Sequence, residues 1–114
     1  MKMRKCILLL PTTFNGGAEV PAVTQLNIPR DIDKALYGHT VGGPCDGAYR
    51  MRNGEMANDR CLKVWVAVDP DRVDELKRLA ARFAKRLKQE SLYFEVTEAE
   101  IEFVRSMPED GEAA

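Results

Sequence analysis

The most regular pattern in the chain is an alternation of apolar and polar positions over residues 61–68. It places Leu62, Val64, Val66 and Val68 on one face, which predicts a strand with one buried side. Residues 5–10 are apolar on both alternating faces and predict a central strand. Shorter patterns predict strands at 48–51 and 91–96, and an extra edge strand at 100–104.

A helical period dominates residues 70–88. Val73, Leu76, Ala80, Phe83 and Leu87 recur every three or four positions and form one apolar stripe. Asp69 is the predicted N-cap and Pro70 the first helical residue. A broken helical pattern covers residues 21–37, and it predicts a short turn followed by a better helix from Pro29 to Tyr37, because proline disrupts a helix interior.

Turn residues separate these elements. The pair Asn53-Gly54 predicts a hairpin, and the glycine- and proline-containing stretch 42–47 predicts a loop. The resulting order, β-α-β-β-α-β plus an edge strand, is typical of an α+β ferredoxin-like two-layer sandwich with both helices on one face of an antiparallel sheet. We expect one domain over residues 1–106 and a flexible acidic tail at 107–114.

The net charge and the cysteine content argue against several classes of function. Seventeen Lys and Arg against eighteen Asp and Glu give a net charge of −1 among 114 residues, which argues against a nucleic-acid partner. One histidine and three widely spaced cysteines predict neither a zinc site nor a disulfide framework, so we expect no metal and no cofactor. The apolar run 6–10 is too short to span a bilayer, and we expect a cytoplasmic protein.

The sheet face without helices carries the candidate ligand-binding residues. Strand parity places Trp65 there with Lys63 and Ala67, joined by Tyr93 and Glu95 and, in one of two registers, by Tyr49. A tryptophan on an open sheet face predicts that something covers it. The leading prediction is a second copy in a face-to-face homodimer, and the alternatives are a small-molecule pocket and an RNA stacking platform.

Two residues are candidate catalytic groups. His39 follows the first helix, and Glu90 lies in Gln89-Glu90-Ser91, where the second helix leads into the last strand. Either side chain has the chemistry of a general base. The competing interpretation is structural: a lone histidine is often exposed, and the polar residues at 89–91 are suited to satisfying backbone groups at the helix end.

Short motifs suggest a relationship. Residues 36–104 resemble a family of small bacterial domains of unknown function. The resemblance lies in three motifs: Gly38-His39-Thr40, Gly47-Ala48-Tyr49, and Gln89-Glu90-Ser91 followed by a strand. The resemblance implies a ferredoxin-like fold and no particular substrate.

The predicted function is therefore an uncharacterised α+β domain that forms a homodimer through its open sheet face. The alternative is a ligand-binding protein or enzyme of the dimeric α/β-barrel type, with a pocket near Trp65 and His39. The second alternative is a module that binds nucleic acid or a regulatory partner.

Overall fold

A computed structural model of the chain describes residues 1–108. Its elements follow in this order: β1 (Lys2–Pro11), α1 (Ala22–Ala35), β2 (Thr40–Arg50), β3 (Met56–Val68), a 3₁₀ turn (Pro70–Arg72), α2 (Val73–Arg86) and β4 (Phe94–Glu100). The four strands form one antiparallel sheet in the order β2-β3-β1-β4. The predicted ferredoxin-like sandwich, with the first and third strands at the centre, is confirmed.

The core lies between the sheet and the two helices. Cys6 and Leu8 of β1 lie beside Val64 and Val66 of β3, and all four are buried in a cluster that includes Phe83 of α2. The remaining buried members of this cluster are Leu10, Val20, Ile28, Ile32, Leu36, Val68, Leu76, Leu79, Ala80 and Leu87. The apolar stripe of α2 and the alternation of β3 therefore pack against each other as predicted.

The first helix differs from the prediction. It is one continuous helix from Ala22 to Ala35 with Pro29 inside it. Proline removes one intrahelical hydrogen bond. Ile28 and Ile32 are fully buried on the sheet side, and this packing holds the helix together through the proline.

The start of α2 also differs. Asp69 has an extended backbone, but its side chain caps no helical N–H, and a 3₁₀ turn precedes the helix. The Asp69 carboxylate instead accepts a hydrogen bond from the hydroxyl of Tyr37, at 3.1 Å. Asp69 and Pro70 therefore occupy the predicted N-cap and first positions, but of the 3₁₀ turn that leads into α2, and without a side-chain cap. Asp69 instead links the end of β3 to the segment after α1.

The second and third strands are longer than predicted. Residues 42–47, predicted as a loop, belong to β2, with a register irregularity between Val41 and Pro44. β2 is an edge strand, where glycine and proline are tolerated. β3 begins at Met56, whereas its pairing with β1 begins only at Cys61, opposite Pro11. Residues 56–60 therefore pair with β2 alone, and the β2–β3 hairpin projects from the sheet as a two-stranded ribbon.

The last strand runs from Phe94 to Glu100 instead of over 91–96, and residues 101–104 form no extra edge strand. The backbone N–H of Ile101 donates to the carbonyl oxygen of Met1 at 3.0 Å, next to the final β1–β4 pair. Of the predicted tail, Met107 and Pro108 have no regular structure, and 109–114 lie outside the described residues. Within residues 1–108, neither helix is long and apolar enough to cross a membrane.

Candidate functional site

The open face of the sheet carries one row of paired residues through its centre. Thr40 of β2 lies opposite Trp65 of β3, Trp65 lies opposite Ile7 of β1, and Ile7 lies opposite Glu95 of β4. Residues directly opposite one another share a face. The predicted parity, which places Trp65 and Glu95 on the face away from the helices, is confirmed by this register.

A cleft of about 550 Å³ lies at one end of this face. We call it the Trp65 cleft. It is lined by Lys5, Tyr37, Gly38, His39, Thr40, Trp65, Val66, Ala67, Ile101 and Phe103. Its base is the sheet, and its sides are the segment between α1 and β2 and the segment that follows β4. Most of this lining is apolar or aromatic, with a few polar groups, as is usual for small-molecule sites.

Three aromatic side chains contribute to the cleft. Trp65 is half-buried, and its ring lies against the backbone of Gly42. The rings of Tyr37 and Phe103 lie 6.4 Å apart at an angle of 54°. This tilted arrangement is favourable for aromatic pairs. The hydrogen bond from Tyr37 to Asp69 orients the Tyr37 ring and raises the pKa of its hydroxyl.

The polar chemistry of the cleft centres on His39. Its Nδ1 lies 2.6 Å from Oδ1 of Asp33, a residue near the end of α1. A carboxylate on one imidazole nitrogen fixes the tautomer and the ring orientation. With Nδ1 donating to Asp33, Nε2 is the nitrogen available to accept a proton or a hydrogen bond. His39 is thus held as a candidate binding or acid–base group at the cleft wall.

Two lysines lie against Trp65. The ammonium nitrogen of Lys63 is 5.1 Å from the centroid of the Trp65 ring, and that of Lys5 is 5.8 Å from it. Both distances are within the range of cation–π contacts. The two positive charges therefore lie beside the Trp65 ring and make the sheet face around it basic.

The other predicted site residues lie elsewhere on the same side of the molecule. Tyr49 and Tyr93 line a second cavity of about 350 Å³, which we call the Tyr49 cavity. The Tyr49 hydroxyl donates to Oε1 of Gln89 at 3.2 Å. The Tyr93 hydroxyl donates to Glu95 at 2.5 Å, which raises the pKa of Tyr93. The predicted set Tyr49, Trp65, Tyr93 and Glu95 is therefore divided between two places.

The residues at the end of α2 have structural contacts. Gln89 is buried, and its Nε2 donates to the carbonyl oxygen of Leu87 at 3.2 Å. The exposed Glu90 carboxylate accepts the backbone N–H of Arg52 at 3.4 Å. The contact of Gln89 matches the structural interpretation, whereas Glu90 binds the turn after β2 instead of the helix end. Glu90 does not line the Trp65 cleft.

Sequence reasoning missed residues of the cleft itself and also the carboxylate that binds His39. The sequence pattern places Tyr37 only at a helix end and Phe103 in an edge strand, and it predicts no role for Asp33. The one available signal was the run Tyr37-Gly38-His39, which places an aromatic ring, a flexible residue and an imidazole at the end of a helix. Nothing in the local pattern brings residues 101–103 to the same place, because that contact is long-range.

Metal-binding geometry is absent from the described part of the chain. Residues 1–108 contain no group of three or more His, Cys, Asp or Glu side chains arranged to hold a metal ion. The three cysteines are free thiols, with Cys6 and Cys61 buried and Cys45 half-buried.

Comparisons with known proteins agree on the fold alone. No family model and no curated protein matches the sequence significantly, so the resemblance to small bacterial domains remains a prediction. Among solved structures, the chain is similar to a phage SAM lyase in complex with S-methyl-5′-thioadenosine, with a TM-score of 0.68, 14% identity, and coverage of 84% of this chain and 81% of that one.

It is also similar to CutA from Synechococcus elongatus, with a TM-score of 0.55, 12% identity, and coverage of 86% of this chain and 77% of that one. The divalent cation tolerance protein CutA1 from Thermus thermophilus has a TM-score of 0.52, 15% identity, and coverage of 92% and 88%. These likenesses establish that the chain has the ferredoxin-like α+β fold of these proteins.

Proposed function

We propose that this protein binds a small ligand of the adenine nucleoside class in the Trp65 cleft. The observation that carries the proposal is the convergence of Tyr37, Trp65 and Phe103 with the His39–Asp33 pair around one cleft. Its volume of about 550 Å³ lies within the ordinary range for small-molecule sites, about 300–1,000 Å³. Aromatic walls favour a planar heteroaromatic base, and His39 and Thr40 offer polar partners for its edge or its ribose.

The similar phage SAM lyase supports the choice of ligand class, because it is in complex with S-methyl-5′-thioadenosine. That compound is a neutral nucleoside with an apolar 5′ group, which is compatible with a cleft that is mainly apolar. We therefore use it as the first probe, with adenosine as a second ligand and uridine as a control whose base is smaller.

Binding is measurable by isothermal titration calorimetry and by fluorescence, since Trp65 is the only tryptophan. We expect saturable binding of S-methyl-5′-thioadenosine and a change in Trp65 emission. Phe103→Ala should weaken binding about two- to thirteenfold, the effect of losing one aromatic contact of about 0.5–1.5 kcal/mol. The matched control is Tyr93→Ala, on the same face but outside the cleft.

The outcomes separate clearly. Absence of binding at millimolar ligand would refute the proposal. Binding that is weakened by Tyr93→Ala and unchanged by Phe103→Ala would move the ligand to the Tyr49 cavity and contradict the proposed site. The His39→Asn variant then tests whether the imidazole contributes to affinity.

A second candidate function is self-association through the open sheet face. The observation that favours it is Tyr93, which is 53% exposed on the face that both helices leave uncovered. A stable interface buries about 800 Å² per partner, and a two-fold pairing uses the same surface on both copies. This homodimer was the leading prediction from the sequence.

Sedimentation velocity tests the homodimer. We expect a species of about twice the 12.8 kDa monomer mass at micromolar concentration, shifted toward monomer by Tyr93→Glu, because that substitution buries an unpaired charge. A 12.8 kDa species at every concentration contradicts the dimer. A dimer that withstands Tyr93→Glu would have its interface elsewhere.

A further inference from the structure

We propose that Cys45 and Cys61 form a redox-active thiol pair that closes to a cross-strand disulfide when the protein meets a low-molecular-weight disulfide such as oxidised glutathione. The two residues are direct partners in the antiparallel pairing of β2 with β3. This pair is separate from the Trp65 cleft, and the proposal does not depend on a ligand there.

The pairing of β2 with β3 places the two cysteines at a distance that suits a disulfide bond. Directly opposite residues in an antiparallel pair have Cα atoms about 4.5 or 5.5 Å apart, depending on their place in the hydrogen-bond ladder. Both values fall inside the range of about 4.4–6.8 Å that disulfides require. Directly opposite side chains also project from the same face. No change of strand register is needed to join the two sulfur atoms.

The electrostatics agree with this proximity. The pKa of Cys61 is raised to about 11, mainly by burial and to a smaller extent by the nearby charges of Asp59, Cys45 and Asp46. The third cysteine is placed differently: Cys6 pairs with Val66 and lies in the core between sheet and helices. Cys61 pairs with Pro11, whose position in β1 has the opposite parity to that of Cys6, so Cys6 faces away from the pair.

The exposure of the two thiols determines which of them reacts first with the external disulfide. Cys45 is half-buried and Cys61 is buried, so the Cys45 thiolate attacks the external disulfide first. That step forms a mixed disulfide at Cys45 and releases one thiol. Cys61 then loses its proton and attacks Sγ of Cys45, which releases the second thiol. Two protein thiols are oxidised by two electrons, and one external disulfide is reduced to two thiols.

The location gives the disulfide a structural consequence. Cys45 follows Pro44, the residue at which β2 resumes its register after the irregularity beginning at Val41. Cys61 lies where β3 leaves β1 and continues into the projecting ribbon, and it also lines the Tyr49 cavity. A cross-link here ties the base of the ribbon together and fixes one wall of that cavity.

The test is an incubation of the reduced full-length protein with excess oxidised glutathione, followed by intact mass and peptide mapping without reductant. We expect the mass to fall by about 2 Da, the two hydrogens lost when one disulfide forms. Trypsin should release residues 35–50 linked to residues 61–63. Cys6→Ser should close in the same way, because Cys6 takes no part.

Two variants identify the mechanism. Cys61→Ser should accumulate a stable glutathione adduct at Cys45, since the resolving thiol is missing. Cys45→Ser should react at least tenfold more slowly, since the remaining thiol of the pair is buried. A linkage that involves Cys6, a wild-type protein that stays reduced, or a Cys61→Ser variant without the adduct would each overturn the proposal.

Discussion

The indole ring of Trp65 lies directly over Gly42 in the neighbouring strand. A Cβ atom built on Gly42 would come within 2.5 Å of two Trp65 ring atoms, a distance that real side chains do not reach. A Cβ atom at Gly43, the next residue, would meet no atom of a non-adjacent residue within 4 Å. The absence of a side chain at 42 is therefore what allows the Trp65 ring to pack closely against the edge strand beside the cleft.

Gly42→Ala is expected to displace the Trp65 ring and destabilise the protein by about 1–3 kcal/mol, as overpacking does. Gly43→Ala is the matched control and should change the free energy of unfolding by less than about 0.5 kcal/mol. Denaturant unfolding measures the stabilities, and Trp65 emission reports the ring position. Equal effects of the two substitutions would contradict this packing.

The sequence predicted the parts of the fold where local pattern and tertiary packing agree. The alternation of Val64 and Val66 with Trp65 correctly separated the buried face from the open face. The three- and four-residue spacing around Leu76 and Phe83 correctly located the buried face of α2. In both cases the buried positions recur with the period of the strand or the helix itself. The local sequence was therefore sufficient to identify the buried face.

The errors arose where packing overrides local preference. Pro29 predicted a break, but the burial of Ile28 and Ile32 keeps α1 continuous. The stretch 42–47 predicted a loop because of its glycines and proline, but pairing with β3 extends β2 through it. Residues 56–60 extend β3 by pairing with β2, but Asn58, Asp59 and Arg60 are three polar residues in a row, so this segment lacks the apolar alternation that predicts a strand.

The site could be predicted only in part for a similar reason. Trp65 and His39 were singled out from the sequence, and the structure brings them to one cleft. Phe103 reaches that cleft across about forty positions of chain from Trp65, and its contact with Tyr37 has no counterpart in any local pattern. Strand register and the course of the chain after β4 supply that information.

Lys88 lies at the end of α2 in a left-handed backbone conformation, with φ of 56°. Gln89 N–H bonds to the carbonyl oxygen of Ala84, which closes the helix end in a form that usually places glycine at this position. The Lys88 ammonium also lies 5.1 Å from the ring centroid of Phe14. The position therefore combines backbone strain with a side-chain contact.

Two substitutions separate these contributions. Lys88→Gly and Lys88→Ala both remove the contact with Phe14, but only glycine relieves the strain, so Lys88→Gly should be more stable than Lys88→Ala by about 1 kcal/mol. Thermal and denaturant unfolding measure the difference. An alanine variant as stable as the glycine variant would mean that the left-handed conformation costs nothing here.

The core face of α2 makes a direct prediction about stability. Leu76 and Phe83 are fully buried, whereas Lys85 is exposed on the same helix. Leu76→Ala should cost about 2–5 kcal/mol and Phe83→Ala about 3–5 kcal/mol, through lost burial and the cavity left behind. Lys85→Ala should change stability by less than about 0.5 kcal/mol. The reverse ranking of denaturant midpoints would contradict the packing of α2.

The pH dependence of stability reports on Asp59, a half-buried residue of the projecting ribbon that lines the Tyr49 cavity. Burial raises the pKa of Asp59 above its ordinary value. The folded state therefore holds this proton more tightly than the unfolded state does. The stability that results is complete below the unfolded pKa of about 3.9 and is lost as the pH rises through the folded pKa.

Asp59→Asn removes this dependence, because an amide does not titrate. The variant should gain stability relative to wild type as the pH rises from about 4 towards neutrality. Denaturant unfolding at a series of pH values measures the gain. The control is Asp46→Asn, which removes an exposed carboxylate from the same ribbon and should leave neutral-pH stability within about 0.5 kcal/mol. A stability difference between Asp59→Asn and wild type that does not change with pH would show that burial does not perturb this carboxyl group.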